Sequence, residues 1–167
     1  MCKIIVMANQ KGGVAKTSST RNLAYSLAEL GKKVLAVDFD PQTNLTISFG
    51  VAPAALQETA ASLMMKLVMD EALPEKESCI LNIGKVDLLP SKKTLTVAEV
   101  NLLIERKDDC LAKLLAPLRA DYDYILVDTG PSLGSLTINA FTAADEIIIP
   151  VDPELFALVG LKELTET

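Results

Sequence analysis

The chain carries Lys11-Gly12-Gly13-Val14-Ala15-Lys16-Thr17-Ser18 two residues after the apolar run Ile4-Ile5-Val6-Met7-Ala8. This order predicts a buried strand, a glycine turn and the start of a helix. Because Gly12 and Gly13 lack a Cβ, we expect the backbone to turn there with positive φ and to direct successive N–H groups toward one point. The first-turn N–H groups and the dipole of the helix would add to this anion site, so these residues predict a loop that binds nucleotide phosphates.

Two side chains of this loop have distinct predicted roles. Lys16 reaches the outer phosphates as a point charge, and the Thr17 hydroxyl takes one position on a bound magnesium ion. The strict phosphate-loop pattern has glycine at positions 10 and 15, where this chain has Gln10 and Ala15. If position 15 requires a left-handed backbone, alanine costs about 1 to 2 kcal/mol relative to glycine. The alternative, an ordinary strand-to-helix turn with surface lysines, is disfavoured because strand, loop and helix all occur in the required order.

Continuous apolar runs between turn residues predict strands that are buried on both faces. Helical patterns separate most of these runs, so we expect right-handed crossovers within one domain over residues 1–167. The expected fold is α/β, with a mostly parallel, twisted sheet and helices on both of its faces. The predicted strands cover residues 4–8, 34–37, 86–89, 125–127 and 147–151.

The predicted first helix has Leu23, Leu27 and Leu30 along one face, and Gly31 closes it with a left-handed cap. Further helices are predicted over residues 94–104, over residues 108–118, from after Pro131 to about residue 143, and from about residue 154 onward. Residues 51–83 contain methionines at helical spacing. Such methionines are more often core filling than a lid or partner surface, so we assign this segment no chemistry.

Three carboxylates follow predicted strands. Asp38 and Asp40 come after the second strand, and Asp128 ends the strand at residues 124–127. Since ligands of open α/β sheets bind beyond the carboxyl ends of the strands, all three are expected on the same rim as the phosphate loop. Beside a polyphosphate they make sense only with magnesium present. From spacing alone, Asp38 and Asp40 also fit a solvated Asp-Pro turn, and Asp128 fits a loop-capping aspartate.

The composition excludes several classes of function. The chain contains no histidine, which leaves carboxylates, lysines and magnesium for catalysis and excludes most zinc sites. Its three cysteines are widely spaced and predict neither a disulfide framework nor a zinc site. Because no apolar run reaches the length of a bilayer span and a strand begins almost at the N-terminus, we expect a cytoplasmic protein without membrane attachment.

Charge is distributed unevenly along the chain. The net charge is −6, yet residues 1–33 contain six basic side chains and a single acidic one, Glu29. This basic end coincides with the predicted phosphate loop. The acidic remainder argues against a broad DNA-binding face within this segment.

Residues 9–17, Asn-Gln-Lys-Gly-Gly-Val-Ala-Lys-Thr, resemble the deviant Walker A loop of the ParA/MinD family of P-loop ATPases, whose mark is the additional lysine, Lys11. The resemblance continues in order at residues 37–42, 89–91, 125–134 and 150–158, so it spans nearly the whole chain. Asn9-Gln10 before the loop and Asp40-Pro41-Gln42 after the second strand are more similar to the ParA branch than to the MinD branch.

The resemblance implies a role for each candidate site residue. Asp128 would be the Walker B carboxylate that holds a magnesium-bound water, Asp40 would orient or deprotonate the attacking water, and Asp38 would support the metal shell. Lys11 would reach across a dimer interface to the phosphates of the other subunit, where it would stabilise charge that develops during phosphoryl transfer. Catalysis is thus assigned to Asp40, Lys11 and Lys16, nucleotide binding to residues 11–18 and Pro150, and the metal to Thr17, Asp38 and Asp128.

The resemblance also implies a process. ATP with Mg²⁺ would close a homodimer that binds DNA of the nucleoid without sequence preference. A ParB-like centromere-binding partner would trigger hydrolysis to ADP and release it, during plasmid or chromosome partitioning. Departures from the family at Ala15 and Ser18 would slow hydrolysis, and those at Gly130 and Asp152 would loosen the edge of the nucleotide site. Family members continue beyond this length, so we expect the chain to be the N-terminal portion of the full domain.

Three other functions stay open at this point. They are a MinD-like membrane-associated ATPase switch, a metabolic phosphoryl-transfer enzyme on the same scaffold such as a small ligase, and a nucleotide-binding fragment that does not hydrolyse ATP. An iron-sulfur electron carrier is disfavoured, because Cys2, Cys79 and Cys110 lie outside the expected contexts near the Walker B strand.

Overall fold

A computed structural model describes residues 1–151 of the chain. Within this range the strands are β1 Lys3–Met7, β2 Val34–Phe39, β3 Leu81–Ile83, β4 Val86–Leu89, β5 Tyr124–Thr129 and β6 Glu146–Ile148. The α-helices are α1 Lys16–Glu29, α2 Asn44–Ser48, α3 Ala60–Val68, α4 Leu95–Glu105, α5 Cys110–Leu115 and α6 Ser135–Ala143. Short 3₁₀ helices cover Pro53–Ala55, Lys76–Ser78 and Pro117–Ala120.

The described strands form one sheet in the order β3-β4-β2-β5-β1-β6. Four of the five strand pairs are parallel, and only β3 and β4 run antiparallel. The predicted mostly parallel sheet is therefore confirmed. Because β1, β2 and β5 lie side by side in parallel, their carboxyl ends meet at one rim, where Asp38 of β2 is in register with Asp128 of β5.

Helices cover both faces of this sheet, as predicted. Alternate residues of a strand point to opposite faces, so Ile4 and Val6 of β1 join one hydrophobic cluster and Ile5 joins the other. Helices α1 and α2 pack on the Ile5 side, whereas α3, α4, α5 and α6 supply the core on the opposite side. Burial on both faces explains why β1, β2 and β5 are apolar almost throughout.

The face by which α1 packs differs from the predicted one. Leu30 is 75% exposed, whereas Ala24 and Ala28 are buried against the sheet. Small side chains let the helix approach the strands closely, so the leucines flank the contact rather than form it. The predicted end of the helix is confirmed, because Gly31 has φ +78° and the N–H groups of Gly31 and Lys32 bond back to the last turn.

Other boundaries also differ from the predictions. Strand β6 is shorter than predicted and exposed, since within residues 1–151 it is the last strand of the sheet and pairs with β1 alone. The predicted helix over residues 108–118 is interrupted, because Pro117 begins a separate 3₁₀ turn. Helices α2 and α3 and strand β3 were not predicted. The helix predicted from residue 154 lies outside the described residues.

Buried Met64 fills the core as expected, whereas Met69 is exposed. All three cysteines, Cys2, Cys79 and Cys110, are free and buried. None of the described helices is both long and apolar enough to span a bilayer.

Candidate nucleotide site

The loop between β1 and α1 has the left-handed turns that an anion nest requires. Gly13 has φ +78° and Ala15 has φ +62°. The prediction of positive φ at Gly12 is wrong, since only the second of the two glycines adopts it. A Cβ at Gly12 would meet no protein atom within 4 Å, so this glycine instead leaves open space beside the loop.

Ala15 is the N-cap residue of α1, and its backbone is left-handed. Position 15 therefore requires the conformation in which alanine is less favourable than glycine. A non-glycine residue in this conformation costs about 1 to 2 kcal/mol. No side chain caps this end of α1, so none competes with a ligand for the N–H groups of its first turn.

Lys16 is bent back over the loop that precedes it. Its Nζ donates to the carbonyl oxygens of Asn9 at 2.9 Å and Lys11 at 3.2 Å, and the residue is only 8% exposed. Burial lowers the pKa of this ammonium group, and the nearby Asp128 and Asp40 carboxylates oppose that shift. The ammonium group of Lys16 is therefore held between the loop and the acidic rim of the sheet.

Asn9 fixes the start of the loop, a role that the sequence analysis did not assign. Its Oδ1 accepts the N–H of Lys11 at 2.9 Å, and its Nδ2 donates to the carbonyl of Pro150 at 2.7 Å. Pro150 thus lies next to the loop although it is far away along the chain. The position of Asn9 two residues before Lys11, at the start of the loop, was the available sequence signal.

Asp128 lies near the end of β5 and is fully buried. Its Oδ1 is 3.5 Å from the Thr20 hydroxyl, and its Oδ2 has no hydrogen-bond partner. Burial raises the pKa of this carboxyl to about 7, the Thr17 hydroxyl and Lys16 lower it, and Asp38 raises it further. An unpartnered buried carboxylate oxygen is costly, and a bound cation would remove that cost.

The carboxylates of Asp38 and Asp40 lie in different surroundings. Both oxygens of the fully buried Asp38 accept protein hydrogen bonds, from the amide of Asp40 and from the amide and hydroxyl of Thr46. Burial raises the pKa of Asp38 to about 6, against the opposing hydrogen bonds of Thr46. Asp40 instead lines the open cleft, where its Oδ1 accepts the amide of Gln42 at 2.9 Å.

A cleft of about 540 Å³ lies at the end of the phosphate loop. It brings together six of the eight predicted loop residues and Asp40, whereas Val14 is buried and Lys11 is exposed outside its lining. The predicted site residues Asp38, Asp128 and Pro150 do not line the cleft either, and both aspartates are fully buried. Four of its lining residues, Gln42, Asn44, Thr129 and Pro131, were not predicted as site residues, and Thr129 and Pro131 follow closely after Asp128. The lining residues are Gly12, Gly13, Ala15, Lys16, Thr17, Ser18, Asp40, Gln42, Asn44, Thr129 and Pro131.

The donors at this cleft fit a nucleotide-bound Mg²⁺ ion better than a protein-only metal site. In residues 1–151, no three acidic or thiol side chains are arranged to hold a metal ion. Mg²⁺ commonly binds through one or two protein oxygens together with phosphates and water. The orphaned Oδ2 of Asp128 and the adjacent hydroxyl of Thr17 are suitable protein oxygens for that arrangement.

The fold is α/β with a mostly parallel sheet, and its site has an uncapped helix after a glycine loop and a buried lysine near a strand-end aspartate. These features define a P-loop nucleotide-binding protein. Comparison with known proteins refines this class. The family model that describes an AAA domain matches residues 2–167. The chromosome partitioning protein ParA of Myxococcus xanthus is 41% identical over 166 residues, which cover 99% of this chain and 57% of that protein.

Two solved structures are similar over 99% of the chain. A plasmid partition protein from Borrelia burgdorferi has a TM-score of 0.85 at 32% identity, with 73% of that chain covered. Cobyrinic acid a,c-diamide synthase from Mycobacterium smegmatis, crystallised with an ATP analogue and magnesium, has a TM-score of 0.90 at 34% identity, with 66% covered. The chain belongs to the ParA/MinD family of P-loop ATPases, on its ParA branch. It spans between 51% and 65% of the length of the curated relatives that it matches.

Proposed function

We propose that this chain is the nucleotide-binding part of a Mg²⁺-dependent ParA-type ATPase that acts as an ATP-driven dimerisation switch. The observation that carries the proposal is the buried, unpartnered Oδ2 of Asp128 beside the ammonium group of Lys16. One buried carboxylate oxygen without a hydrogen bond is explained when a metal and a polyphosphate complete the site.

Each predicted site residue has a place in this proposal. Backbone N–H groups of residues 12–18 and the Lys16 ammonium bind the phosphates. Pro150, which Asn9 holds beside the loop, borders the nucleotide. Thr17 and Asp128 hold Mg²⁺, which neutralises charge on the phosphate oxygens when bound. Asp40 orients the attacking water from the wall of the cleft, and Asp38 supports the metal shell from behind.

Lys11 acts in trans in this proposal. It is exposed at the start of the loop, while its backbone carbonyl accepts a hydrogen bond from Lys16. An exposed cation next to the phosphate loop is suitably placed to approach the nucleotide of a second subunit. There it stabilises the charge that develops during phosphoryl transfer.

The whole protein would be cytoplasmic and would use the switch in plasmid or chromosome partitioning. ATP closes the homodimer, the dimer binds DNA of the nucleoid without sequence preference, and a ParB-like centromere-binding partner stimulates hydrolysis and release. Partition proteins among the relatives support this reading.

The first experiment is calorimetry with Mg·ATP, together with phosphate-release assays with and without DNA and a ParB-like partner. We expect binding that Lys16→Ala weakens by at least about tenfold, and turnover that DNA and partner together increase. Absence of heat at millimolar Mg·ATP would reject the proposal. Binding without any turnover would instead identify a nucleotide-binding fragment that does not hydrolyse ATP.

A metabolic phosphoryl-transfer enzyme is the second candidate, and the similarity to the diamide synthase structure favours it. This function would be supported over partitioning if phosphate release required a carboxylic acid and an amide-nitrogen donor and if DNA did not change its rate. Sedimentation with anionic liposomes in ATP, without sedimentation on DNA, would support a MinD-like switch.

A further inference from the structure

The segment that carries Asp40 is a tight turn between β2 and α2. The amide of Thr43 donates to the carbonyl of Asp40 at 3.0 Å, and the amide of Gln42 donates to the Asp40 side chain. Thr43 itself has φ +60°. These local bonds fix the shape of the turn, but they do not fix its distance from the phosphate loop.

A buried network outside the cleft supplies that second constraint. Asp38 accepts the amide of Asp40 at 3.2 Å, the amide of Thr46 at 2.7 Å and the hydroxyl of Thr46 at 2.5 Å. The same hydroxyl accepts the amide of Ser91 at 2.9 Å. Asp38, Thr46 and Ser91 are all fully buried.

The Thr46 hydroxyl is the centre of this network, because it both donates and accepts. Through it, the end of β2, helix α2 and the segment after β4 are joined at one point. Asp38 in turn accepts a hydrogen bond from the amide of Asp40, which ties the backbone of Asp40 to the network. No member of the network except Asp40 lines the nucleotide cleft.

We propose that Thr46 is a positioning residue for ATP hydrolysis, which through Asp38 and the Ser91 amide holds Asp40 at the place where it orients water. This inference rests on the proposed ATPase function and deepens it. It predicts a loss in the chemical step rather than in nucleotide binding. None of the hydrogen bonds of Asp38, Thr46 and Ser91 goes to the phosphate loop or to Asp128, although Asp38 is the strand neighbour of Asp128 and raises its pKa.

Thr46→Val keeps the shape of the side chain and removes the hydroxyl. Asp38 Oδ2 then keeps one of its two donors, and the buried Ser91 amide loses its acceptor. A shift of α2 and the Asp40 turn would follow, because buried polar groups move to regain partners. A displacement approaching 1 Å can lower turnover by about 100-fold, so we expect kcat to fall between about 10- and 100-fold.

The test compares Thr46→Val, Thr46→Ser and Thr59→Val in steady-state hydrolysis, Mg·ATP calorimetry and hydrogen exchange of residues 40–46 without nucleotide. Thr59 is a buried cap of α3 and serves as the control for lost stability, because its side chain makes no hydrogen bond to Asp38, Thr46 or Ser91. The amide of the next residue, Ala60, donates to the carbonyl of Pro90 beside Ser91, so this control also loosens the segment after β4 without removing the Thr46 hydroxyl. We expect Thr46→Val to lower kcat, preserve affinity and speed exchange in residues 40–46. Thr46→Ser should restore all three.

Three results would overturn this inference. The first is a kcat of Thr46→Val equal to that of the parent. The second is a loss of Mg·ATP affinity in Thr46→Val as large as its loss of kcat. The third is a change in kcat and in exchange of residues 40–46 that is as large in Thr59→Val as in Thr46→Val. If the parent binds Mg·ATP without turnover, hydrogen exchange decides, and unchanged exchange of residues 40–46 in Thr46→Val would overturn the inference. A parent that binds no Mg·ATP would reject the proposed function, and the positioning role with it.

Discussion

Gly130 lies directly against the carboxylate of Asp40, so that a Cβ built on Gly130 would be 3.1 Å from Asp40 Oδ1. The two residues come from different strand ends and meet over the cleft. Asp40 Oδ1 is also the acceptor for the Gln42 amide. A side chain at position 130 would therefore compete with that hydrogen bond for the position of Asp40.

Gly130→Ala should lower the ATPase rate of the proposed enzyme. Asp40 would have to move by a few tenths of an ångström, which we expect to reduce kcat by about three- to tenfold with unchanged Mg·ATP affinity. Steady-state kinetics with calorimetry checks this. Gly31→Ala, which places alanine at φ +78° far from the cleft, is the control that should lose stability but not kcat. Equal rates in Gly130→Ala and the parent would show that Asp40 tolerates a neighbouring side chain.

Ala15→Gly should stabilise the protein by about 0.5 to 1 kcal/mol. Glycine removes the cost of the left-handed backbone at φ +62°, and part of this gain is offset by the greater freedom of glycine in the unfolded chain. Urea denaturation measures the change. Ala112→Gly, the same substitution in the right-handed helix α5, should instead lose about 1 kcal/mol. A destabilised Ala15→Gly variant would contradict the strain argument.

Asp128→Asn should make the nucleotide-free protein more stable and the Mg·ATP complex weaker. At pH 8 the parent carboxylate, with a pKa of about 7, is mostly ionised and has one unpartnered oxygen. A neutral amide at this buried position should raise the free energy of unfolding by about 1 to 2 kcal/mol. Because the pKa is raised in the folded state, the gain should shrink as the pH falls below 7, where the parent carboxyl is protonated.

Thermal denaturation at pH 8 and pH 5.5, with and without Mg·ATP, checks both effects. The stabilisation by Mg·ATP seen in the parent should be largely lost in Asp128→Asn. Asp121→Asn removes an exposed carboxylate that pairs with Lys76 and should produce neither effect. A nucleotide-free Asp128→Asn protein less stable than the parent at pH 8 would contradict the interpretation of the buried oxygen.

Asp145→Asn should weaken the edge of the sheet and alter its response to acid. The Asp145 carboxylate accepts hydrogen bonds from both terminal nitrogens of Arg119, at 2.9 and 3.1 Å, and from the amide of Ile4 at 2.7 Å. The Arg119 hydrogen bond lowers the pKa of this carboxyl below 3.8. Since the pair is partly exposed, we expect a loss of only about 1 kcal/mol at pH 7.

The sign of the pH effect follows from the lowered pKa. The stabilisation by Asp145 is complete above about pH 4 and disappears as the pH falls through the folded-state pKa. Between pH 5 and pH 2.5 the parent should therefore lose more stability than Asp145→Asn. The other carboxyls contribute equally to the pH dependence of both proteins, so they cancel in the comparison. Urea midpoints across this range measure the difference, and parallel curves would exclude the ion pair as a source of acid sensitivity.

Much of the fold could be predicted because parallel strands buried on both faces are continuous apolar runs. That signal located β1, β2, β4 and β5, and it failed for β3, which is too short to form a pattern. It also misjudged Ile147 and Ile148, which are apolar but exposed at an edge. The packing face of α1 was missed because it consists of alanines, which carry little hydrophobic signal.

The sequence by itself determined the phosphate loop, since glycines, a lysine and a hydroxyl at fixed spacing lie within one local turn. It also indicated Asp38, Asp40 and Asp128, because each comes shortly after an apolar run that predicts a strand. Only the tertiary structure decided which carboxylate lacks a partner and which is held by Thr46, because those contacts join residues that are distant along the chain. Local spacing determines backbone geometry, whereas hydrogen-bond satisfaction depends on which strands the sheet places side by side.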